Sequence, residues 1–332
     1  MRLIVTGGAG FIGSHYVRSA LAGRYPALRD AHVTVLDKLT YAGNLANLPA
    51  DDPRLTFVHG DVCDAGLLGD LLPGHDAVVH FAAESHVDRS VSGSARFITT
   101  NVEGTHTLLE GCLRAGVRRF VHVSTDEVYG SIDEGTWPEG HPLEPNSPYS
   151  ASKAASDLIV RAFHRTHGLS TSTTRCSNNY GPYQHPEKLI PLFVTNLLDG
   201  EDVPLYGDGR NVREWLHVDD HCRAVQAVLE RGRPGATYNV GGGVELSNLE
   251  LTRLLLDACG AGWDRVRFVP DRKGHDQRYA VDGSKIAGEL GFHPRVPFLR
   301  GLAETVRWYA ANRAWWEPVK RRPAVVDAGA RS

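Results

Sequence analysis

The sequence predicts an α/β fold built on a doubly wound parallel sheet, followed by a smaller C-terminal domain. Two observations carry that prediction. Short β-rich apolar runs alternate with longer helical patterns as far as Thr174, and beyond Arg175 the rhythm weakens into loops rich in Asn, Gly, Pro and His.

The opening run Leu3-Ile4-Val5 gives a first strand over residues 2–6, and five further runs place strands at 32–36, 55–59, 77–81, 119–124 and 170–174. Helical patterns follow at about 186–198, 218–230, 248–258 and 298–312, while the run 237–240 reads as one more strand able to return to the main sheet. The expected organisation is a first domain over 1–180 with a returning segment around 213–240, a substrate-binding domain over 181–318, and a tail over 319–332. From Glu317 onward Pro, Arg and Ala mix without periodicity, so that tail is expected to fray.

The 332 residues, 42% of them hydrophobic, suffice for a sizeable buried core. Thirty-six Lys and Arg against 39 Asp and Glu leave a net charge of −3, and no basic run exceeds Lys320-Arg321-Arg322. That balance argues against a nucleic-acid or anionic-membrane partner and for a small molecule. The five cysteines show neither disulfide-framework nor zinc-site spacing, and no metal is expected. Without a leader pattern or a run of about 18 apolar residues, a soluble cytoplasmic protein is the expectation.

The first strand runs into Thr6-Gly7-Gly8-Ala9-Gly10-Phe11-Ile12-Gly13, and residues 14–21 suit a helix. Gly7, Gly10 and Gly13 let the chain turn tightly, approach a pyrophosphate and pack helix on strand, while the helix N-terminus offers N–H groups to phosphate. A tight turn alone would use the same glycines; the strand before and the helix after point instead to a Rossmann-type dinucleotide-binding domain. Asp37, ending the second strand, can accept both ribose hydroxyls and would repel a 2′-phosphate, which favours NAD over NADP, although Lys38 beside it pulls the other way. Asp61 and Val62 after the third strand, and Phe81, Ala82 and Ala83 after the fourth, are cofactor contacts by position.

Pro148-Tyr149-Ser150-Ala151-Ser152-Lys153 opens a helix whose i, i+4 spacing puts Tyr149 and Lys153 on one face. An ammonium there is expected to lower the phenol's pKa toward the range useful to a base at neutral pH. The strand 119–124 leads into Thr125-Asp126-Glu127-Val128-Tyr129-Gly130. Two adjacent carboxylates reach one substrate only where the backbone turns, and there repulsion and burial can keep one protonated beside an ionised partner. Spacing does not say which is the acid.

TGGAGFIG, STDEVYG, the Tyr149/Lys153 pair, CSNNYGPYQHPEKLIP, PLYGDG, NVREWLHVDDH and DRKGHDQRYA together resemble the dTDP-glucose 4,6-dehydratases, which are extended short-chain dehydrogenases/reductases. The resemblance spans residues 1 to 318 without departing at a motif position. Its Thr-Asp-Glu triple is the specific part, because sugar-nucleotide epimerases of the same superfamily usually lack the acidic pair.

The resemblance implies a redox-neutral loss of water from dTDP-glucose, giving the 4-keto-6-deoxy sugar of deoxysugar biosynthesis. Tyr149 takes the C4 hydroxyl proton as hydride passes to NAD, Glu127 removes the C5 proton, Asp126 protonates the departing C6 hydroxyl, and the hydride returns to C6. Thr125 is implied as the partner of the C4 oxygen and Lys153 as a contact to the nicotinamide ribose. Leu39, Thr40, Ser85, Thr100 and Asn179 complete the implied cofactor set. The implied substrate contacts are Ser85, Thr125, Asn178, Lys188, Leu189, Pro204, Tyr206, Arg213, Asn248, Arg272 and His275.

Helices around 95–114 and 150–167 are long enough to pair with a second copy in a four-helix bundle, the family's usual homodimer, though their apolar faces could equally be buried on the sheet. Two rivals remain at this point. A 4-epimerase needs Tyr149, Lys153 and NAD but not Asp126-Glu127, and a cofactor-sensing regulator would have no need of Tyr149 or Lys153.

Overall fold

The computed structural model describes residues 1–320. In chain order it contains β1 (Arg2–Thr6), α1 (Phe11–Leu21), β2 (His32–Asp37), β3 (Leu55–His59), α2 (Ala65–Leu71), β4 (Ala77–His80), α3 (Val87–Ser92) and α4 (Ala95–Phe97). A π-helical segment (Ile98–Glu103) joins α4 to α5 (Gly104–Ala115), followed by β5 (Arg119–Thr125), α6 (Pro148–His167), β6 (Thr171–Cys176) and β7 (Asn178–Tyr180). The C-terminal part comprises α7 (Leu189–Leu198), β8 (Val203–Tyr206), β9 (Val212–His217), α8 (Val218–Arg231), β10 (Thr237–Val240), β11 (Glu245–Ser247), α9 (Asn248–Cys259), β12 (Val266–Val269), α10 (Ser284–Leu290), α11 (Phe298–Ala311) and α12 (Arg313–Lys320).

Seven strands form the main sheet in the order β10-β6-β5-β4-β1-β2-β3, and every pairing in it is parallel. The chain begins mid-sheet and winds outward in both directions, so β1 and β4 flank the switch point where a crevice opens beyond the strand ends. Alternation along β1 sends Leu3 and Val5 into a core with Tyr16, Val17, Val225 and Val228, and Ile4 into the opposite core with Leu108, Phe120, Val160 and Phe163. Helices α1 and α8 therefore cover one face, and α5 and α6 the other.

Strand β10 joins the sheet beside β6, with Thr237 opposite Thr173. Of the segment around 213–240, α8 and β10 return to the sheet, whereas β9 pairs with β7 and β11 in a separate three-stranded sheet. A third core of Phe193, Val194, Trp215, Leu255, Tyr309 and Trp316 lies outside the main sheet. The helix expected from 186 begins only at Leu189, with extended Lys188 as its N-cap.

The expected fraying must be corrected. Helix α12 runs through Lys320, with Trp316 and Val319 buried. The Trp316 indole donates to the Tyr309 carbonyl at 2.8 Å, and Lys320 Nζ reaches Asp199 at 2.8 Å and Glu201 at 3.0 Å. An aromatic anchor holds this turn where periodicity gave no signal; residues 321–332 of the expected tail lie outside the described residues.

Candidate active site

A cavity of about 850 Å³ opens at the switch point and extends past the end of β5. The glycine turn forms its floor. Gly7 adopts φ +67°, and a Cβ there would stand 2.6 Å from the Ala82 nitrogen; a Cβ on Gly13 would stand 2.3 Å from the Gly7 carbonyl oxygen. No side chain fits either position without moving backbone. Helix α1 starts at Phe11 rather than residue 14, because the Ser14 N–H already bonds to the Gly10 carbonyl at 3.0 Å. The first helical turn thus lies in the cavity wall with Gly10, Phe11, Ile12 and Gly13.

At the end of β2, Asp37 accepts from Ala9 N–H at 2.9 Å and Leu39 N–H at 2.8 Å. Burial raises its pKa while these amides oppose the rise, and its remaining lone pairs are available to ribose hydroxyls. Lys38 Nζ pairs with Asp61 at 2.7 Å, which neutralises the lysine beside Asp37 and removes the argument it made for a 2′-phosphate. Thr40, Val62, Phe81, Ala82, Ala83, Ser85 and Asn179 line the same cavity, as does Thr100 on the π-helical segment. These walls suit a dinucleotide: glycine backbone at one end, an acid at the β2 edge and small residues above β4.

The chain leaves β5 at Thr125 and tightens at once into a 3₁₀ turn over Asp126–Tyr129, with the Thr125 hydroxyl accepting from Glu127 N–H at 3.3 Å. Gly130 closes the turn at φ +81°, where a Cβ would meet the Glu144 carbonyl oxygen at 2.4 Å. Both acids therefore line the cavity, as an extended strand could not allow. Asp126 is 2% exposed, and one of its carboxyl oxygens has no hydrogen-bond partner. Burial, with Glu127 and Glu214 adding repulsion, pushes its pKa well above the ordinary carboxylate range. Burial also raises Glu127, but Arg272, Arg213 and Lys188 oppose that rise. Both carboxyls are thus raised, but Asp126 is pushed further toward its protonated form than Glu127.

Helix α6 is fixed at its start by a reciprocal capping box between Ser147 and Ser150 and by Pro148 in the first turn. Tyr149 and Lys153 consequently enter the cavity together. The expected lowering of the Tyr149 pKa is not found. Burial and the charge of Glu127 push the phenol well above its ordinary value, with only the Thr125 hydroxyl opposing. Lys153 instead donates to the Val123 carbonyl at 2.8 Å, and burial lowers its own pKa to about 8.

The cavity brings together every expected cofactor residue, all five expected catalytic residues and, from the substrate set, Ser85, Thr125, Asn178 and Lys188. Leu189, Pro204, Tyr206, Arg213, Asn248, Arg272 and His275 lie outside its wall. Tyr206 donates to Asp88 at 3.3 Å, Arg272 lies 3.8 Å from the same carboxylate, and the rings of Tyr206 and His275 are 6.4 Å apart. Arg213 is held over the Tyr279 ring, 4.3 Å from its centroid, and donates to the Asp276 carbonyl at 2.9 Å. Residue-type reasoning alone missed Tyr41, Arg89, His185 and Glu187, which also line the cavity. Glu187 lies 3.1 Å from Arg89, whose guanidinium stacks 3.7 Å from the Tyr41 ring centroid. The signal was a carboxylate directly before Lys188 in a loop at the sheet's active edge.

Among the described residues no group of three or more His, Cys, Asp or Glu could hold a metal ion. No helix among them is long and apolar enough to cross a membrane.

A family model described as GDP-mannose 4,6 dehydratase matches residues 4–305. A dTDP-glucose 4,6-dehydratase of Streptomyces antibioticus is 63% identical over 328 residues, covering 98% of this chain and 97% of that protein. The crystal structure of DesIV, a dTDP-glucose 4,6-dehydratase from Streptomyces venezuelae with NAD bound, superposes with a TM-score of 0.95 at 68% identity, covering 96% of this chain and 100% of that one. A UDP-glucose 4-epimerase from Thermotoga maritima gives a TM-score of 0.87 at 32% identity, covering 94% of this chain and 100% of that one.

Proposed function

The chain belongs to the dTDP-glucose 4,6-dehydratases, and from that premise we propose how its own residues divide the NAD-dependent dehydration of dTDP-glucose to dTDP-4-keto-6-deoxyglucose. NAD, when bound, accepts a hydride from C4 of the sugar and returns it at C6, so the cycle is redox-neutral. Gly7, Gly10 and the first turn of α1 take the pyrophosphate, Asp37 the adenosine ribose, and Lys153 the nicotinamide ribose. Thr125 donates to the C4 oxygen while Tyr149 moves the C4 hydroxyl proton. Glu127 then removes the C5 proton, and Asp126 delivers a proton to the leaving C6 oxygen.

One observation carries this assignment: Asp126 is buried with an unpartnered oxygen, whereas Glu127, beyond the Arg213 charge that acts on both, has the charges of Arg272 and Lys188 acting on it. The carboxyl pushed further toward its protonated form suits the acid, and the one attended by more cations suits the base. Lys188, Arg213 and Arg272 also suit the sugar nucleotide's two phosphates. Ser85, Asn178, Leu189, Pro204, Tyr206, Asn248 and His275 complete the proposed substrate surface, which lines the cavity and the wall next to it. The epimerase rival shares the fold but requires no acid-base pair for elimination.

The enzyme is read as cytoplasmic and homodimeric. Ile98, Leu113 and Leu158 leave 46%, 38% and 52% of their surface exposed on the α4–α5 segment and α6, which supports a helical interface. The test of function uses purified protein and dTDP-glucose with no added cofactor, following product mass and the absorbance of reduced nicotinamide. Loss of one water without net NADH supports the reading; an isomer of unchanged mass contradicts it.

A further inference from the structure

Behind the active-site face of α6 lies a buried polar chain that the chemistry above does not use. Asp157 follows Lys153 by four residues, hence on the same side of the helix, and is 4% exposed. One of its oxygens accepts from Arg175 Nε at 2.8 Å, and the other lies 3.3 Å from His122 Nε2. Arg175 also donates to the Tyr129 hydroxyl at 2.8 Å, which in turn donates to Asn239 at 2.8 Å. His122 precedes Val123, whose carbonyl holds Lys153, and Tyr129 closes the turn carrying Asp126 and Glu127.

A buried carboxylate with one guanidinium partner contributes little net stability, and a hydrophobic replacement often serves as well. Its placement has another consequence. The ionisable groups acting on Lys153 are His80 on β4, His122 on β5, Cys176 on β6 and Asp157 on its own helix. Burial keeps both histidines neutral near pH 7 and pushes the thiol well above its ordinary value, so Asp157, whose own pKa is held low, is the one anion among them.

We propose that Asp157 is a positioning residue for the oxidation step: it holds Lys153 as a cation from behind and, through Arg175 and Tyr129, ties α6 to the turn that carries Asp126 and Glu127. The inference rests on the reading of Tyr149 and Lys153 as the oxidation pair. It adds that their helix carries its own counter-charge, placed where neither substrate nor cofactor reaches it.

The chain has only six lysines, so Lys153 can be followed directly by NMR of ε-¹³C-lysine-labelled full-length protein, assigned with Lys153→Met. In Asp157→Asn the Lys153 titration midpoint falls from about 8 by about one pH unit or more. The alkaline limb of dTDP-glucose turnover moves the same way, and Asp157→Glu restores both. Arg175→Gln, which removes the competing cation, moves the midpoint upward. An unchanged midpoint in folded Asp157→Asn, or a rate reduced equally at every pH, overturns the proposal. If Asp157→Asn does not fold, the sign of the Arg175→Gln shift decides, and no shift or a downward one overturns it. A wild-type enzyme that releases no water would sink the dehydratase reading, while the NMR midpoints would still judge Asp157.

Discussion

Asp126 and Glu127 are neighbours on one turn, yet the first is enclosed with an unpartnered carboxyl oxygen while the second feels, besides the Arg213 they share, the charges of Lys188 and Arg272. Adjacent residues of nearly the same chemistry are thereby raised unequally, Asp126 further toward its protonated form than Glu127. The difference comes from which element supplies the neighbours: the strand end and Glu214 for Asp126, the loop before α7 and the C-terminal region for Glu127.

Replacing Glu127 with Gln is expected to leave C4 oxidation intact and stop proton removal at C5, slowing turnover by about 10²-fold or more. Reduced nicotinamide should accumulate after substrate is added, and solvent deuterium should not enter C5. Normal deuterium incorporation would remove Glu127 from that role. Because burial raises the Glu127 pKa, the acid limb of wild-type activity should lie above the ordinary carboxylate range.

The Asp126→Asn variant should still exchange the C5 proton but lose water about 10²-fold more slowly. Its stability should change in a direction fixed by linkage. The folded-state pKa of Asp126 is raised, so its favourable contribution is complete below the unfolded value of about 3.9 and disappears as pH rises through the folded value. The variant's melting temperature should therefore exceed that of the wild type by a margin that grows between pH 4 and pH 8. A margin that shrinks with pH would contradict a neutral Asp126.

Tyr149→Phe should retain bound NAD and lose hydride transfer by about 10²- to 10⁴-fold. Single-turnover absorbance of reduced nicotinamide separates the two effects. Full turnover would exclude the phenol as the group that moves the C4 proton.

Gly13→Ala should abolish cofactor retention, since its Cβ would stand 2.3 Å from the Gly7 carbonyl oxygen, a contact relieved only by moving the phosphate-binding turn. NAD released on acid denaturation of the purified variant should fall to background. Retention at the wild-type level would show that the turn can yield without losing the site.

The strands and the glycine turn were legible because their signals are local: apolar runs of strand length, and three glycines at fixed spacing between a strand and a helix. The active-site helix was legible for the same reason, since its cap and its i, i+4 pair lie within one short segment. The Tyr149 protonation state was not, because it depends on Glu127 and on burial that no spacing reveals. Helix α12 was missed because its stability comes from Trp316 packing against Tyr309 and from Lys320 reaching Asp199, contacts distant in the chain or invisible to periodicity. Glu187 and Asp157 act through partners on other elements, and residue type alone does not announce such partnerships.

The most direct measurement is the fate of the C4 hydrogen. The purified enzyme is given dTDP-glucose deuterated at C4, without added cofactor, and the product is analysed by mass spectrometry and NMR. Loss of one water with the deuterium now at C6 is the expected result, since the hydride leaves and returns within one closed site. Deuterium retained at C4 in a product of unchanged mass, or lost to solvent or free NADH, would contradict the redox-neutral dehydration assigned to these residues.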